Sequence, residues 1–103
     1  VISAAVAAGS CVLLVVPGQS STAESGTPSS GASPAGLRTW DEYRAVLKSK
    51  AVAGSHVACI DFTQRWGGYT AANAAGLMAD ASHPRRIGYG DQARVMQQLL
   101  AYA

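Results

Sequence analysis

The sequence predicts an α/β fold in which helices pack on a parallel sheet. Two short apolar runs, Cys11 to Val16 and Val57 to Phe62, are rich in β-branched residues and have the composition of strands buried on both faces. Segments with helical spacing lie between and after these runs, and such alternation is typical of a parallel sheet covered by helices. The 103 residues suffice for one small domain.

The elements around the first strand are set by glycine, proline and serine. Residues Ile2 to Ala8 have the pattern of the end of a helix, and Gly9 occupies the following position, which favours a positive φ. Pro17-Gly18 ends the strand. Residues 19–37 are dominated by Ser, Gly, Thr, Pro and Ala and predict a long extended loop, which in a compact domain is often functional.

The next helix begins with a capping box. In Thr39-Trp40-Asp41-Glu42, the Thr39 hydroxyl and the Glu42 carboxylate occupy the N-cap and third helical positions. Gly54 is the predicted end. Apolar residues recur between them at helical spacing: Trp40, Tyr43, Val46, Leu47 and Ala51.

Shorter elements follow the second strand. Gln64 to Tyr69 is predicted to be irregular, Thr70 to Ala79 a short helix, Asp80 to Pro84 a turn, and Tyr89 to Tyr102 a final amphipathic helix. Two strands make a poor sheet, so we expect further strands from elsewhere, and we expect Val1 to lie inside a fold rather than at its start.

The composition excludes several classes of function. The eight basic residues are scattered and the net charge is only +2, which argues against nucleic-acid binding. The apolar start lacks the basic region of a signal peptide, and Gly9, Ser10 and Pro17 interrupt it, so no membrane span is expected. No cysteine or histidine spacing suggests zinc. Cys11 and Cys59 are expected to be buried free thiols, although the sequence leaves a disulfide open.

The charged fraction is low. At 14%, it lies well below the roughly 25% of an ordinary soluble domain. We therefore expect part of the surface to be covered, either by a missing part of the same fold or by a partner chain.

The segment from Asp80 to Tyr89 carries the candidate chemistry. An aspartate three residues before a histidine can hold one imidazole nitrogen and leave the other free to accept a proton from a nucleophile. Pro84 suits a first helical position, and Gly88 suits a close backbone approach. The alternative is that Asp80 and Ser82 only cap the last helix and that His83 is a surface residue.

This segment resembles the last motif block of the SGNH (GDSL-type) hydrolases, D-x-x-H-P followed by a glycine and a closing helix. The runs Val12 to Pro17, Trp40 to Leu47 and Val57 to Phe62 resemble a late core strand, the helix after its substrate-side loop, and the final strand. The resemblance covers nearly the whole chain but only the C-terminal part of such an enzyme. Arg85 stands where the family favours asparagine, which puts the local turn in doubt.

The resemblance implies that residues 1–103 form a single segment, the C-terminal half of a three-layer α/β/α, flavodoxin-like SGNH fold. It implies His83 as the general base and Asp80 as the acid that orients it, with no metal or cofactor. The serine nucleophile and the oxyanion donors would come from a missing upstream part or from another chain. The implied function is hydrolysis of acyl or acetyl esters, on a carbohydrate or a lipid.

Two alternatives stay open. In the first, the chain is a non-catalytic structural or carbohydrate-binding module of a larger assembly, such as a virion tail component. In the second, Gly18-Gln19-Ser20 is a nucleophile elbow and Ser20 completes a triad with His83 and Asp80. Against the second, no asparagine block follows and Ser20 enters a Ser/Gly segment rather than a helix, so we expect a loop serine.

The remaining polar residues have simpler interpretations. Asp61, at a strand end, is expected to bond to the following turn, and His56 is expected to be a solvated loop residue. Arg85 and Arg86 are expected to be solvated, beside the site and within reach of an anionic substrate.

Overall fold

The computed structural model describes residues 2–26 and 39–101. It is a mixed α/β structure with a two-stranded parallel sheet. In chain order the elements are α1 (Ile2–Ala7), β1 (Val12–Val16), α2 (Ser21–Glu24), α3 (Trp40–Ser49), β2 (Val57–Asp61), α4 (Phe62–Trp66), α5 (Tyr69–Ala74) and α6 (Arg86–Ala101).

The sheet has the predicted parallel arrangement. The strands pair in register from Val12 opposite Val57 to Val16 opposite Asp61. Their carboxyl ends therefore lie side by side, which is the edge where α/β proteins place their ligands. The segments that follow both strands carry the residues of the candidate site.

The prediction that both faces of the strands are buried is wrong for the described residues. Only Val16 of β1 is fully buried, and Val15 is 38% exposed. Helix α3 contacts both strands, and α1 and α4 contact β1. These helices leave most residues of the two strands only half-buried. Cys59 is half-buried, Cys11 just before β1 is exposed, and both are free thiols.

The main core lies beyond the sheet. Phe62, Trp66, Ala72 and Met78 form it, and the rings of Phe62 and Trp66 pack with centroids 5.9 Å apart. Gly18 allows β1 to reach this core, since a Cβ there would lie 2.3 Å from the Trp66 ring. The end of β1 is thus fixed against α4.

Helix α4 occupies a segment predicted to be irregular. Asp61 accepts a hydrogen bond from the Gln64 backbone N–H at 2.9 Å and so caps the helix. Gly67, with φ of 79°, ends it. The next helix, α5, was predicted over Thr70 to Ala79 but ends at Ala74.

Helix α6 begins three residues earlier than predicted, at Arg86. Pro84 is not a first helical residue, because it pairs in an antiparallel bridge with Met78. The predicted end at Tyr102 lies outside the described residues. Asp91 joins α6 to α4 by accepting hydrogen bonds from Arg65 and from the Trp66 indole, the latter at 2.8 Å.

The predicted long loop contains a short helix. Ser20 is the N-cap of α2, and the Glu24 carboxylate accepts hydrogen bonds from the backbone and hydroxyl of Thr70 at the start of α5. The prediction of an extended loop is therefore wrong for 21–24, and its stretch from 27 to 37 lies outside the described residues.

The predicted end of the third helix at Gly54 is wrong, because α3 ends at Ser49 and Lys50 caps it, whereas the boundaries predicted at Gly9 and Thr39 agree with the structure. Gly9 follows α1 with φ of 85°, and the Thr39 hydroxyl caps α3 by accepting from the Glu42 backbone N–H at 3.3 Å. Over residues 2–26 and 39–101, no helix is long and apolar enough to cross a membrane.

Candidate functional site

Asp80 and His83 meet within one turn. The Nδ1 atom of His83 lies 3.1 Å from each carboxylate oxygen of Asp80. The Oδ1 atom of Asp80 also accepts hydrogen bonds from the backbone N–H groups of Ser82 and His83, each at 2.8 Å. The aspartate therefore shapes the turn and orients the imidazole with the same carboxylate.

The turn is attached to the core on both sides. The Ala79 N–H donates to the His83 carbonyl at 2.8 Å, beside the bridge that Met78 makes with Pro84. Arg85 donates from its backbone to the Leu77 carbonyl and from its side chain to the Met78 carbonyl, each at 2.7 Å. Because Met78 is only 1% exposed, these bonds attach the turn to a buried residue of the core.

Gly88 is needed where α6 passes this turn. A Cβ at Gly88 would lie 2.5 Å from the Leu77 carbonyl oxygen, closer than any side chain permits. The close approach predicted for Gly88 is therefore confirmed, and it brings the first turns of α6 beside His83.

The electrostatics favour an ionised Asp80. The backbone N–H of Ser82, then that of His83, and then the His83 ring lower the pKa of the Asp80 carboxyl below its ordinary value. A carboxylate that stays ionised holds Nδ1–H as a donor and stabilises the imidazolium when Nε2 accepts a proton. The Nε2 atom has no hydrogen-bond partner among the described residues, and the His83 side chain is 69% exposed.

His83 lines an open pocket of about 350 Å³. The pocket lies at the carboxyl end of β1, between the Asp80–His83 turn, the start of α3 and the start of α6. Its walls are formed by Pro17, Gly18, Ser20, Trp40, Ser82, His83, Pro84, Tyr89 and Gln92.

Ser20 shares this pocket with His83. The Ser20 hydroxyl accepts a hydrogen bond from the Ala23 backbone N–H at 3.1 Å, and the Ser21 N–H donates to the Ala81 carbonyl at 2.9 Å. The expectation that Ser20 enters a loop is wrong, since it caps a helix that is bonded to the candidate turn. No hydrogen bond joins Ser20 to His83 within the part of the chain that the structure describes.

Trp40, one of the apolar residues that recur at helical spacing in the sequence, forms a second wall. Its indole N–H donates to the Thr63 hydroxyl at 2.9 Å, and that hydroxyl donates to the Pro17 carbonyl at 2.9 Å. Thr63 is only 4% exposed, so this pair of bonds fixes the indole against the end of β1.

Tyr89 and Gln92 form the third wall, on α6. They are three residues apart and so lie on the same face of the helix. The sequence interpretation missed both. The available signal was their i, i+3 spacing directly after the D-x-x-H-P turn. This spacing places both side chains on one helix face, near the histidine.

Asp61 has the structural role that its position predicted. Besides capping α4, it accepts two hydrogen bonds from the Arg44 guanidinium, at 3.0 and 2.8 Å. Burial would raise the pKa of Asp61, but the bonds from Arg44 and from the Gln64 backbone outweigh burial and lower it. Asp61 does not line the pocket.

The other candidates lie away from the pocket walls. Arg85 and Arg86 are exposed, as expected, although the Arg85 side chain is bonded to a backbone carbonyl. His56 is an exposed loop residue with φ of 60°. In residues 2–26 and 39–101, no group of three His, Cys, Asp or Glu side chains is placed to hold a metal ion.

No protein-family model, curated protein or solved structure matches the chain. The geometry of this pocket and the chemistry of the residues that line it are therefore the basis for assigning a function.

Proposed function

We propose that this chain supplies the Asp–His pair of a serine ester hydrolase of the SGNH type. His83 is the general base, Asp80 orients it, and the serine nucleophile and oxyanion donors come from an upstream part of the same fold or from another chain. The substrates are acyl or acetyl esters. One observation carries the proposal: Asp80 engages Nδ1 of His83 at 3.1 Å, while Nε2 has no hydrogen-bond partner among the described residues and His83 lines a pocket.

The chemistry follows from this geometry. Nε2 of His83 accepts the proton of the serine hydroxyl while the serine oxygen attacks the ester carbonyl. The imidazolium, stabilised by Asp80, then gives its proton to the departing alcohol oxygen. Water, deprotonated by His83 in turn, releases the acyl group from the serine as a carboxylic acid. The products are one alcohol and one acid.

The fold supports the proposal at a coarse level. The candidate turn lies between the second strand and a closing helix, and two parallel strands end beside it. We infer that residues 1–103 form a single segment, the C-terminal half of a three-layer α/β/α, flavodoxin-like fold. The exposed sides of the sheet are then the surfaces on which its other half packs.

The position of Ser20 favours a second arrangement of the same chemistry. Ser20 follows a strand, caps a helix and lines the His83 pocket, which are features of a nucleophile elbow. In that arrangement Ser20 itself is the nucleophile. The two arrangements differ only in which serine attacks.

Hydrolysis of p-nitrophenyl acetate tests the proposal and separates the arrangements. We expect the chain joined to the residues encoded before Val1 to be active, and His83→Ala to lower kcat/KM on the order of 10⁴-fold. The matched control is His56→Ala, which changes the only other histidine and leaves the rate unchanged.

Three results of this assay distinguish the proposed function from its alternatives. If the longer protein is active and His83→Ala leaves its rate unchanged, the proposed function is wrong. If the chain alone is active and Ser20→Ala abolishes that activity, Ser20 is the nucleophile. An inactive long protein that retains its fold favours the non-catalytic alternative.

A further inference from the structure

The walls of the His83 pocket that face the histidine carry two aromatic rings and an amide. Trp40 comes from the start of α3, and Tyr89 and Gln92 come from α6. Tyr89 is 52% exposed. Neither the Tyr89 hydroxyl nor the Gln92 amide is hydrogen-bonded within the described part of the chain, so both remain available to a ligand.

The indole of Trp40 offers an apolar surface to a ligand. Its only donor, the ring N–H, is engaged by the Thr63 hydroxyl at 2.9 Å. The ring is held in place by this bond and needs no rearrangement to receive a ligand. The Gln92 amide lines the same pocket. A fixed aromatic surface and an amide in one pocket suit a ligand with one apolar face and one polar edge.

The charges and size of the pocket narrow the class of ligand. Among the described residues, neither arginine nor lysine lines it, so no described side chain in its walls neutralises a phosphate or a carboxylate. Its volume of about 350 Å³ lies at the small end of ligand pockets, and polar groups of Ser20, Ser82 and Gln92 interrupt its apolar surface. A long acyl chain needs a continuous apolar groove, whereas a sugar ring has C–H faces and a rim of hydroxyls.

We propose that Trp40, Tyr89 and Gln92 form the subsite for the alcohol part of the ester, and that this alcohol is a neutral sugar. The aromatic rings contact the C–H face of the sugar, and the Gln92 amide bonds to its hydroxyls. Assigning the subsite to the alcohol part rests on the proposed function, because the departing sugar oxygen must lie where His83 can return a proton to it.

Sugar binding is measured directly, without hydrolysis. The probe is N-acetylglucosamine, a neutral sugar with an amide in place of the ester. It is titrated into the ¹⁵N-labelled longer protein that includes the residues encoded before Val1, and binding is followed by NMR. We expect shifts at Trp40, Tyr89 and Gln92, and we expect Tyr89→Ala and Gln92→Ala each to raise the Kd by about fivefold. Tyr89→Phe keeps the ring and should bind within about twofold of the wild type.

Two controls guard against a loss of fold. Gln98→Ala changes an exposed glutamine of the same helix outside the pocket and should leave the Kd unchanged. Unperturbed amide resonances outside the pocket show that a variant is folded. If folded Tyr89→Ala and Gln92→Ala bind the sugar as the wild type does, or if decanoate shifts the same residues and the sugar does not, the subsite is wrong.

The outcomes for the subsite and for the proposed function are distinguishable. Sugar binding that depends on Tyr89 and Gln92, without hydrolysis of p-nitrophenyl acetate in any length of the protein, supports the subsite and overturns the esterase. Hydrolysis that depends on His83, with sugar binding indifferent to both variants, supports the esterase and overturns the subsite.

Discussion

The carboxylate of Asp80 contacts three nitrogen atoms of its own turn. Two are the backbone nitrogens of Ser82 and His83, and the third is Nδ1 of the imidazole. The alternative that Asp80 caps the last helix is wrong, because its hydrogen bonds stay within its own turn and α6 begins only at Arg86. Shaping this turn and orienting the imidazole depend on residues two and three positions away, so this part of the site could be predicted from local spacing.

The tautomer of His83 is the first residue-scale prediction. With Asp80 ionised, the Nδ1 atom should carry the proton and Nε2 should be free. Asp80→Asn presents an amide N–H to the ring, favours the opposite tautomer and should lower kcat on the order of 10⁴-fold. Long-range ¹H–¹⁵N NMR of the imidazole distinguishes the two forms, and an Nε2–H tautomer in the wild type would contradict the proposed role.

Two other residues of the pocket could not be predicted from spacing. Trp40 belongs to α3 and Ser20 to the segment before α2, and only tertiary packing brings them to the Asp80–His83 turn. Local patterns report which side of an element is apolar but not which element it meets. The helix that Ser20 caps was also hidden from the sequence interpretation. It has only four residues, and the Ser/Gly-rich composition around it predicts a loop.

At the scale of elements, the helices that position the pocket are joined by Asp91. It accepts hydrogen bonds from Arg65, Trp66 and Arg94, and its side chain is 14% exposed. The Arg65 bond, then the Trp66 bond, lower the pKa of Asp91 far below its ordinary range, and these bonds outweigh the opposing effect of burial. One carboxylate thus links α4 to α6.

Removing that link should destabilise the protein. In Asp91→Ala the Trp66 indole N–H and the Arg65 guanidinium lose their acceptor, at a cost of about 1–3 kcal/mol. The matched control is Asp41→Ala, whose ion pair with Arg44 involves a carboxylate that is 76% exposed and should contribute under about 1 kcal/mol. Urea denaturation, in the length of protein that unfolds cooperatively, measures both.

The pH dependence of this effect has a definite sign. A carboxyl whose pKa is depressed by folding stabilises the protein fully above its unfolded pKa, and loses that effect as pH falls toward the folded pKa. The difference between wild type and Asp91→Ala should therefore be largest at neutral pH and shrink below about pH 4. An equal difference at pH 3 and pH 7 would contradict the assignment.

The boundaries of helices and strands could be predicted where a capping residue or a glycine ends the element. They could not be predicted where one residue belongs to two successive elements. Thr39 and Gly9 mark their helix ends by chemistry that is visible in the sequence. Asp61 is both the last residue of β2 and the cap of α4, so the apolar run hides the start of that helix. Pro84 suits a helix start, but the bridge to Met78 places it in the turn.

At the scale of the whole molecule, the described part exposes many large apolar side chains. Val52, Ile87 and Leu100 are each more than 60% exposed, and the sheet has only two strands. Parallel sheets are ordinarily buried on both faces. The sequence predicts the two parallel strands. It cannot predict which other strands would pair with them, because local sequence patterns do not report contacts between distant parts of the chain.

The isolated chain should therefore fold poorly. We expect a broad thermal transition and binding of an apolar dye such as ANS, because apolar faces and strand edges lack cover. Addition of the residues encoded before Val1, or of the partner chain, should sharpen the transition and reduce dye binding. A sharp cooperative transition of the isolated chain, without dye binding, would count against this account.

Covalent labelling shows whether His83 activates a serine, and it requires no known substrate. A fluorophosphonate probe reacts with an activated serine hydroxyl and releases fluoride. We expect one labelled serine in the longer protein or complex, identified by mass spectrometry, and loss of its labelling in His83→Ala but not in His56→Ala. Labelling that persists in His83→Ala, or its absence from a folded wild type, would show that His83 does not activate a serine.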